Sequence, residues 1–151
     1  MIHDIEEDTR YLKYLTNLTH LNIGSSENIG DKHVAKITSL TSLEVGYAQG
    51  VGNRLFQKLT SLQYLSFDYE HGIEYAGLYP LKNLIELKID NAYQDDIISV
   101  SRLSNLRTLY IKDYNRKLPY YQADFLKLAR NRGGCLDIIL NDVHVLEDMD
   151  I

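Results

Sequence analysis

The chain has a single cysteine, Cys135, in 151 residues. A lone thiol excludes an intramolecular disulfide and any metal site built from cysteine alone. Long apolar runs are missing too: no stretch approaches the ~20 residues that a membrane-spanning helix needs. Basic charge is in deficit, with 16 Lys and Arg against 21 Asp and Glu, a net charge of −5 and a pI near 5.5. That balance argues against nucleic acid or an anionic membrane as the main partner. The opening residues, Met1-Ile2-His3-Asp4-Ile5-Glu6-Glu7-Asp8, are acidic and carry neither the basic nor the apolar part of a secretory signal. The expected compartment is therefore cytoplasmic, with export by another kind of signal left open. The rest is ordinary globular material, 44% apolar and 25% charged, of one domain's length.

Leucine, by contrast, is plentiful, and most of the leucines are evenly spaced. Leu21, Leu43, Leu65, Leu87 and Leu109 are 22 residues apart. Three residues before each stand Leu18, Leu40, Leu62, Leu84 and Leu106; two residues after, Ile23, Val45, Phe67, Ile89 and Ile111. Two more columns precede these: Leu15, Ile37, Leu59, Leu81, Leu103, and Leu12, Val34, Phe56, Leu78, Val100. Every position in the five columns is aliphatic or Phe, which chance does not produce at this composition. Polar slots recur in step, as Thr16-Asn17, Thr38-Ser39, Thr60-Ser61, Lys82-Asn83 and Ser104-Asn105.

Within a unit two periods alternate. Thr19-His20-Leu21-Asn22-Ile23-Gly24 places apolar residues at every second position, the pattern of a half-buried strand. From Ile29 through Val34 to Ile37 the spacing becomes helical. Neither piece can bury its apolar side alone; stacked units can, with parallel strands on one side and short helices on the other. The Leu-x-x-Leu-x-x-Leu-x-Ile unit resembles the leucine-rich repeat family, and its length is similar to internalin-type and protein-phosphatase-regulatory repeats. The resemblance is strict over about residues 7–111 and looser to about 141. It implies an α/β class, right-handed solenoid with strands on the concave face and short helices or 3₁₀ turns on the convex face. Many members of the family place Asn five residues after the second strand leucine; here those positions are Ser26, Ala48, Glu70, Ala92 and Tyr114, so the family's curvature does not carry over.

The expected organisation is one domain, 1–151: an N-terminal cap over 1–15, core repeats over 16–111, and an irregular repeat with a cap over 112–151. Ile2 and Ile5 are expected to cover the first leucines. Near the other end, aligning Leu136 with Leu109 gives an insertion of five residues beyond the period, with a helix over Tyr120 to Arg130 and a closing strand over 136–140. In that alignment Asp137 joins the column of Asn22, Glu44, Ser66, Lys88 and Tyr110.

Alternation turns the even-numbered strand positions outward. With the column that follows each strand (Tyr47, Tyr69, Asp113) and Asp137 of the shifted last strand, the resulting face carries Glu44, Asp68, Glu86, Asp90, Asp113 and Asp137 against Lys88 and Lys112, together with Tyr47, Tyr64, Tyr69 and Tyr110. Tyrosine offers contact area and a hydrogen-bonding tip at modest entropic cost, and is enriched at interfaces. The expected function is protein–protein recognition of a basic surface, through Tyr47, Tyr64, Asp68, Tyr69, Glu86, Lys88, Asp90, Tyr110 and Asp113, with the charges steering encounter. A merely solvated strand face is the alternative at the level of the site. At the level of function there are two: a stoichiometric inhibitor such as a toxin-neutralising immunity protein, and a pathogen effector or the substrate-recognition part of a larger enzyme.

Chemistry-bearing patterns are weak. The histidines (3, 20, 33, 71, 144) have no ligand spacing, and Asp95-Asp96 and Asp148-Met149-Asp150 lack a calcium-loop framework. Ser25, His20 and Glu44 fall near one another on an open face, which offers no pocket for catalysis. Gly50-Val51-Gly52 is followed by Asn53-Arg54 and not by Lys-Ser/Thr, so it reads as a turn. Cys135 is expected to be partly buried beside the cap, and Arg116-Lys117, Arg130 and Arg132 to be solvated. No enzyme activity, cofactor or metal is expected.

Overall fold

The computed structural model describes residues 9, 11–24, 28–46, 50–68, 73–90, 100–112, 122–132, 135–141 and 143–144. Among them, each repeat contributes one short strand, and the strands stand side by side in chain order. The sheet runs β1 (His20–Asn22), β2 (Ser42–Val45), β3 (Tyr64–Asp68), β4 (Glu86–Asp90), β5 (Thr108–Lys112), β6 (Asp137–Leu140) and β7 (Val143–His144). All neighbours are parallel except β6 and β7. The register is the sequence period itself: Leu21, Leu43, Leu65, Leu87 and Leu109 face one another rung by rung.

The side opposite the sheet holds a short element in each of the first four turns: a 3₁₀ turn at Leu12–Tyr14, α1 (Asp31–Val34), α2 (Asn53–Phe56) and a 3₁₀ turn at Tyr75–Leu78. Side chains of one turn hold the backbone of the next. Asp31 Oδ1 accepts the Gly52 N–H and Asn53 Oδ1 the Glu74 N–H, both at 2.9 Å. Gly30 and Gly50 form a parallel bridge so close that a Cβ on Gly30 would sit 2.6 Å from the Gly50 carbonyl oxygen, so only glycine fits there.

Between the two sides lies the core, and the five apolar columns fill it. Leu40, Leu43, Leu62, Leu65, Leu84, Leu87 and Leu109 are fully buried. Each such side chain adds roughly 1.5–3 kcal/mol of transfer free energy. The first member of each column is the least covered: Leu12, Leu18 and Leu21 are half-buried, and Leu15 is exposed. Ile2 and Ile5, expected to cover this end, lie outside the described residues.

The far end is closed by α3 (Gln122–Asn131), which buries Phe125, Leu126, Leu128 and Ala129. The helix over 120–130 was thus expected almost in place. The insertion is longer than expected. Leu109 pairs with Ile138, 29 residues along the chain, so the excess over the period is seven residues and not five. Asp137 therefore stands beside Thr108, and the place beside Tyr110 belongs to Ile139. Asn141, in the left-handed region at φ 48°, turns the chain back into β7, a strand that the period does not announce.

The polar slots have a structural role. Ser39 Oγ lies 2.6 and 2.7 Å from the carbonyl oxygens of Thr16 and Leu18. Asn83 Nδ2 donates to Thr60 O at 3.0 Å and Asn105 Nδ2 to Lys82 O at 2.7 Å. These side chains tie successive turns together by backbone hydrogen bonds. Positions 26, 48, 70, 92 and 114, where the family's asparagines would stand, lie outside the described residues.

Candidate functional site

Parallel pairing without register slip places side chains of equal phase in rows across the sheet, with rungs about 4.8 Å apart. One row holds His20, Ser42, Tyr64, Glu86, Thr108 and Asp137. The next holds Asn22, Glu44, Ser66, Lys88, Tyr110 and Ile139. A third holds Asp68, Asp90 and Lys112. Six of the nine residues expected to make contacts, Tyr64, Asp68, Glu86, Lys88, Asp90 and Tyr110, thus share one face on β3, β4 and β5, all of them half-buried. Tyr47, Tyr69 and Asp113 lie outside the described residues.

Five carboxylates on the described face (Glu44, Asp68, Glu86, Asp90, Asp137) stand against two lysines (Lys88, Lys112), a formal charge of −3. Several polar groups are fixed by their neighbours. Asn22 Nδ2 donates to Glu44 Oε2 at 2.7 Å, and the Gly24 N–H donates to Asn22 Oδ1 at 2.8 Å. Gly24, at φ 57°, and Gly46 end the first two strands. A Cβ on Gly46 would meet the Gly24 carbonyl oxygen at 2.6 Å, so the face is bare backbone there.

Tyr64 sits among Glu44, Glu86 and Asp90. Burial pushes its phenol above the ordinary tyrosine range, the Ser66 hydrogen bond pulls the other way, and the three carboxylates push it further up. It is a neutral hydroxyl at physiological pH. Asp90 Oδ1 is the buried side-chain atom without a hydrogen-bond partner among the described residues. An unmade bond to a buried acceptor costs about 1–3 kcal/mol, which a donor brought by a partner would recover.

Ile139 was missed as a member of the face. The signal that could have placed it is weak, because sliding β6 by two residues along β5 leaves every side chain on the same side of the sheet. Alternation fixes which face Asp137 and Ile139 occupy; only the pairing fixes their rung.

Other candidates do not assemble. Among the described residues no group of three or more His, Cys, Asp or Glu could hold a metal ion. Cys135 is exposed between α3 and β6, against the expectation of partial burial, because the apolar contacts of this stretch go to Leu136 instead. Arg132 is not simply solvated. Its guanidinium donates to the carbonyl oxygens of Ser101 (3.3 Å), Leu103 (3.0 Å), Ser104 (2.8 Å) and Leu106 (3.1 Å). No described helix is long and apolar enough to cross a membrane.

No protein-family model matches the chain, and no curated protein matches it. Among solved structures it is similar to internalin C2 of Listeria monocytogenes, with 20% identity and a TM-score of 0.65. That match covers 92% of this chain and 57% of the internalin. It is also similar to an internalin, InlF, of the same organism, with 20% identity and a TM-score of 0.54, over 91% of this chain and 44% of that one. The chain spans about half the length of the internalins it matches. With its strict 22-residue register and its row of parallel strands, this chain has the α/β solenoid fold of leucine-rich-repeat proteins.

Proposed function

We propose that this protein is a non-catalytic recognition module that binds another protein through the face of β2–β6. The observation that carries the reading is the shared face of Tyr64, Asp68, Glu86, Lys88, Asp90 and Tyr110, brought together from three repeats by an unbroken register. Two half-buried tyrosines supply anchor area among charges whose sum is negative, and solenoids use such continuous sheet faces for docking. Tyr47, Tyr69 and Asp113 belong to the same proposed surface by their place in the repeat. The net charge fits a partner patch that is basic overall, and charge pairs of this kind act mainly on the rate of encounter.

The test is capture of partners on the immobilised chain, beside a Tyr64→Ala, Asp68→Asn, Asp90→Asn triple variant whose fold is checked by circular dichroism. The expected result is a partner held by the wild-type chain, lost by the variant, and associating more slowly as salt rises. A folded variant that keeps every partner overturns the reading. Turnover assays on a captured enzyme then separate an adaptor, which leaves the rate unchanged, from a stoichiometric inhibitor.

A further inference from the structure

The described sheet face is acidic as a whole, but one place on it is built the other way. Lys88, Tyr110, Ile111, Lys112, Ile139 and Asn141 line a hollow of about 60 Å³ where β4, β5 and β6 meet. The polar side chains in that lining are two ammoniums, a phenol and a carboxamide, and all four can donate hydrogen bonds. None is a carboxylate, although Glu86 and Asp90 flank Lys88 on its own strand. Ile139 is 7% exposed and gives the hollow an apolar wall. The two-residue shift of β6 puts it there: it pairs with Tyr110, which pairs with Lys88.

We infer that this hollow is a carboxylate subsite, which takes an Asp or Glu side chain of the protein partner. The inference rests on the reading of the face as a docking surface and sharpens it. The partner segment is mixed in charge, with an acidic side chain at β4–β6 and basic groups along β2–β4. The hollow is small and takes the end of one side chain, and its donors set the ligand class. Charge-assisted bonds from two lysines on neighbouring strands select the ionised acid over the neutral amide. Lys88 and Lys112 stand on the paired strands β4 and β5, whose register fixes their backbones.

The probe is N-acetyl-glutamate N-methylamide, titrated at constant ionic strength into the full chain and followed by amide NMR, with N-acetyl-glutamine N-methylamide as the neutral control. The acid should produce saturable shifts at residues 88, 110–112, 139 and 141, and the amide none. Lys88→Met and Lys112→Met should each weaken the acid by about tenfold, the worth of one charge-assisted bond at a surface site. Lys58→Met, at an exposed lysine just past α2 and outside the face, should leave this titration unchanged. Equal shifts from the neutral amide, sulfate binding as tightly as the acid, no saturable shift, or indifference to both lysine variants would overturn the subsite. The titration needs no partner, so its failure is separate from that of the wider reading, which stands or falls on the triple variant.

Discussion

His33 and Tyr64 are moved in opposite directions by the same cause, burial of an ionisable ring. His33 is lowered from its ordinary value by burial first and by the Lys32 ammonium second. Its Nδ1 accepts the Gly30 N–H at 3.1 Å, a bond that protonation of that nitrogen breaks. The folded chain therefore binds this proton less readily than the unfolded chain does. The contribution is present above the ordinary value of 6.5 and is lost as pH falls through it and below. Melting temperatures measured between about pH 7 and pH 5 should fall on acidification, and His33→Asn should flatten part of that slope. For Tyr64 the sign reverses. Its raised phenol holds its proton more tightly when folded, so stability is present below the ordinary value of 10.0 and declines as pH climbs past it. In a spectroscopic titration Tyr64 should ionise above that value, Glu86→Gln should bring it down, and Tyr64→Phe should remove it.

Between residue and molecule, the recurring element is the row of side chains that bonds one turn to the next. Thr60 O and Lys82 O receive Asn83 and Asn105, and the next carbonyl in that row, Ser104 O, receives Arg132. Ser39 reaches Leu18 O one row across, and Arg132 reaches the matching Leu106 O. Arg132, at the end of α3, thus occupies the place that a further repeat's Ser or Asn would fill. A guanidinium can span several carbonyls, whereas an ammonium is a point donor. Arg132→Lys should cost about 1–3 kcal/mol in urea unfolding, and Asn105→Ala about 0.5–1.5 kcal/mol. Arg130→Lys, on the exposed side of the same helix, should stay within about 0.5 kcal/mol of wild type. The recurrence of these polar slots was plain in the sequence, since Ser39, Asn83 and Asn105 keep the period. Their bonds were not, because period says which positions are equivalent and nothing about which atoms meet. Arg132 could not be read at all: it arrives from beyond the irregular insertion, where the period has lapsed.

At the scale of the whole molecule, the register was the most legible feature, because one number fixes strand pairing, core depth and surface face together. It was read correctly from Leu21 to Ile111. It failed only at β6, where a slide of two residues is silent to alternation and moved Ile139 by one rung. The candidate site was half legible for the same reason: Tyr64, Glu86, Lys88 and Tyr110 follow from phase, whereas the hollow beside Tyr110 depends on the length of the insertion. Coverage along the stack sets graded costs. Leu65→Ala, fully buried in the middle, should lose about 2–5 kcal/mol, and Leu15→Ala, 46% exposed in the first turn, much less. Chain-length arithmetic gives the sharpest test. Deleting residues 86–107 removes one whole period and joins Ile85 to Thr108, so β5 can pair with β3 in the old register and every later side chain keeps its depth. Deleting 86–106 removes one residue fewer, and from the junction onward a strand in the same pairing would turn Leu109 and Ile111 toward water and Tyr110 toward the core. Because repeats contact mainly their neighbours, the first deletion should unfold cooperatively at a modestly lower denaturant midpoint. The second should lose protection from hydrogen exchange throughout β5 and β6. If both deletions behave alike, depth in this molecule is not set by the period.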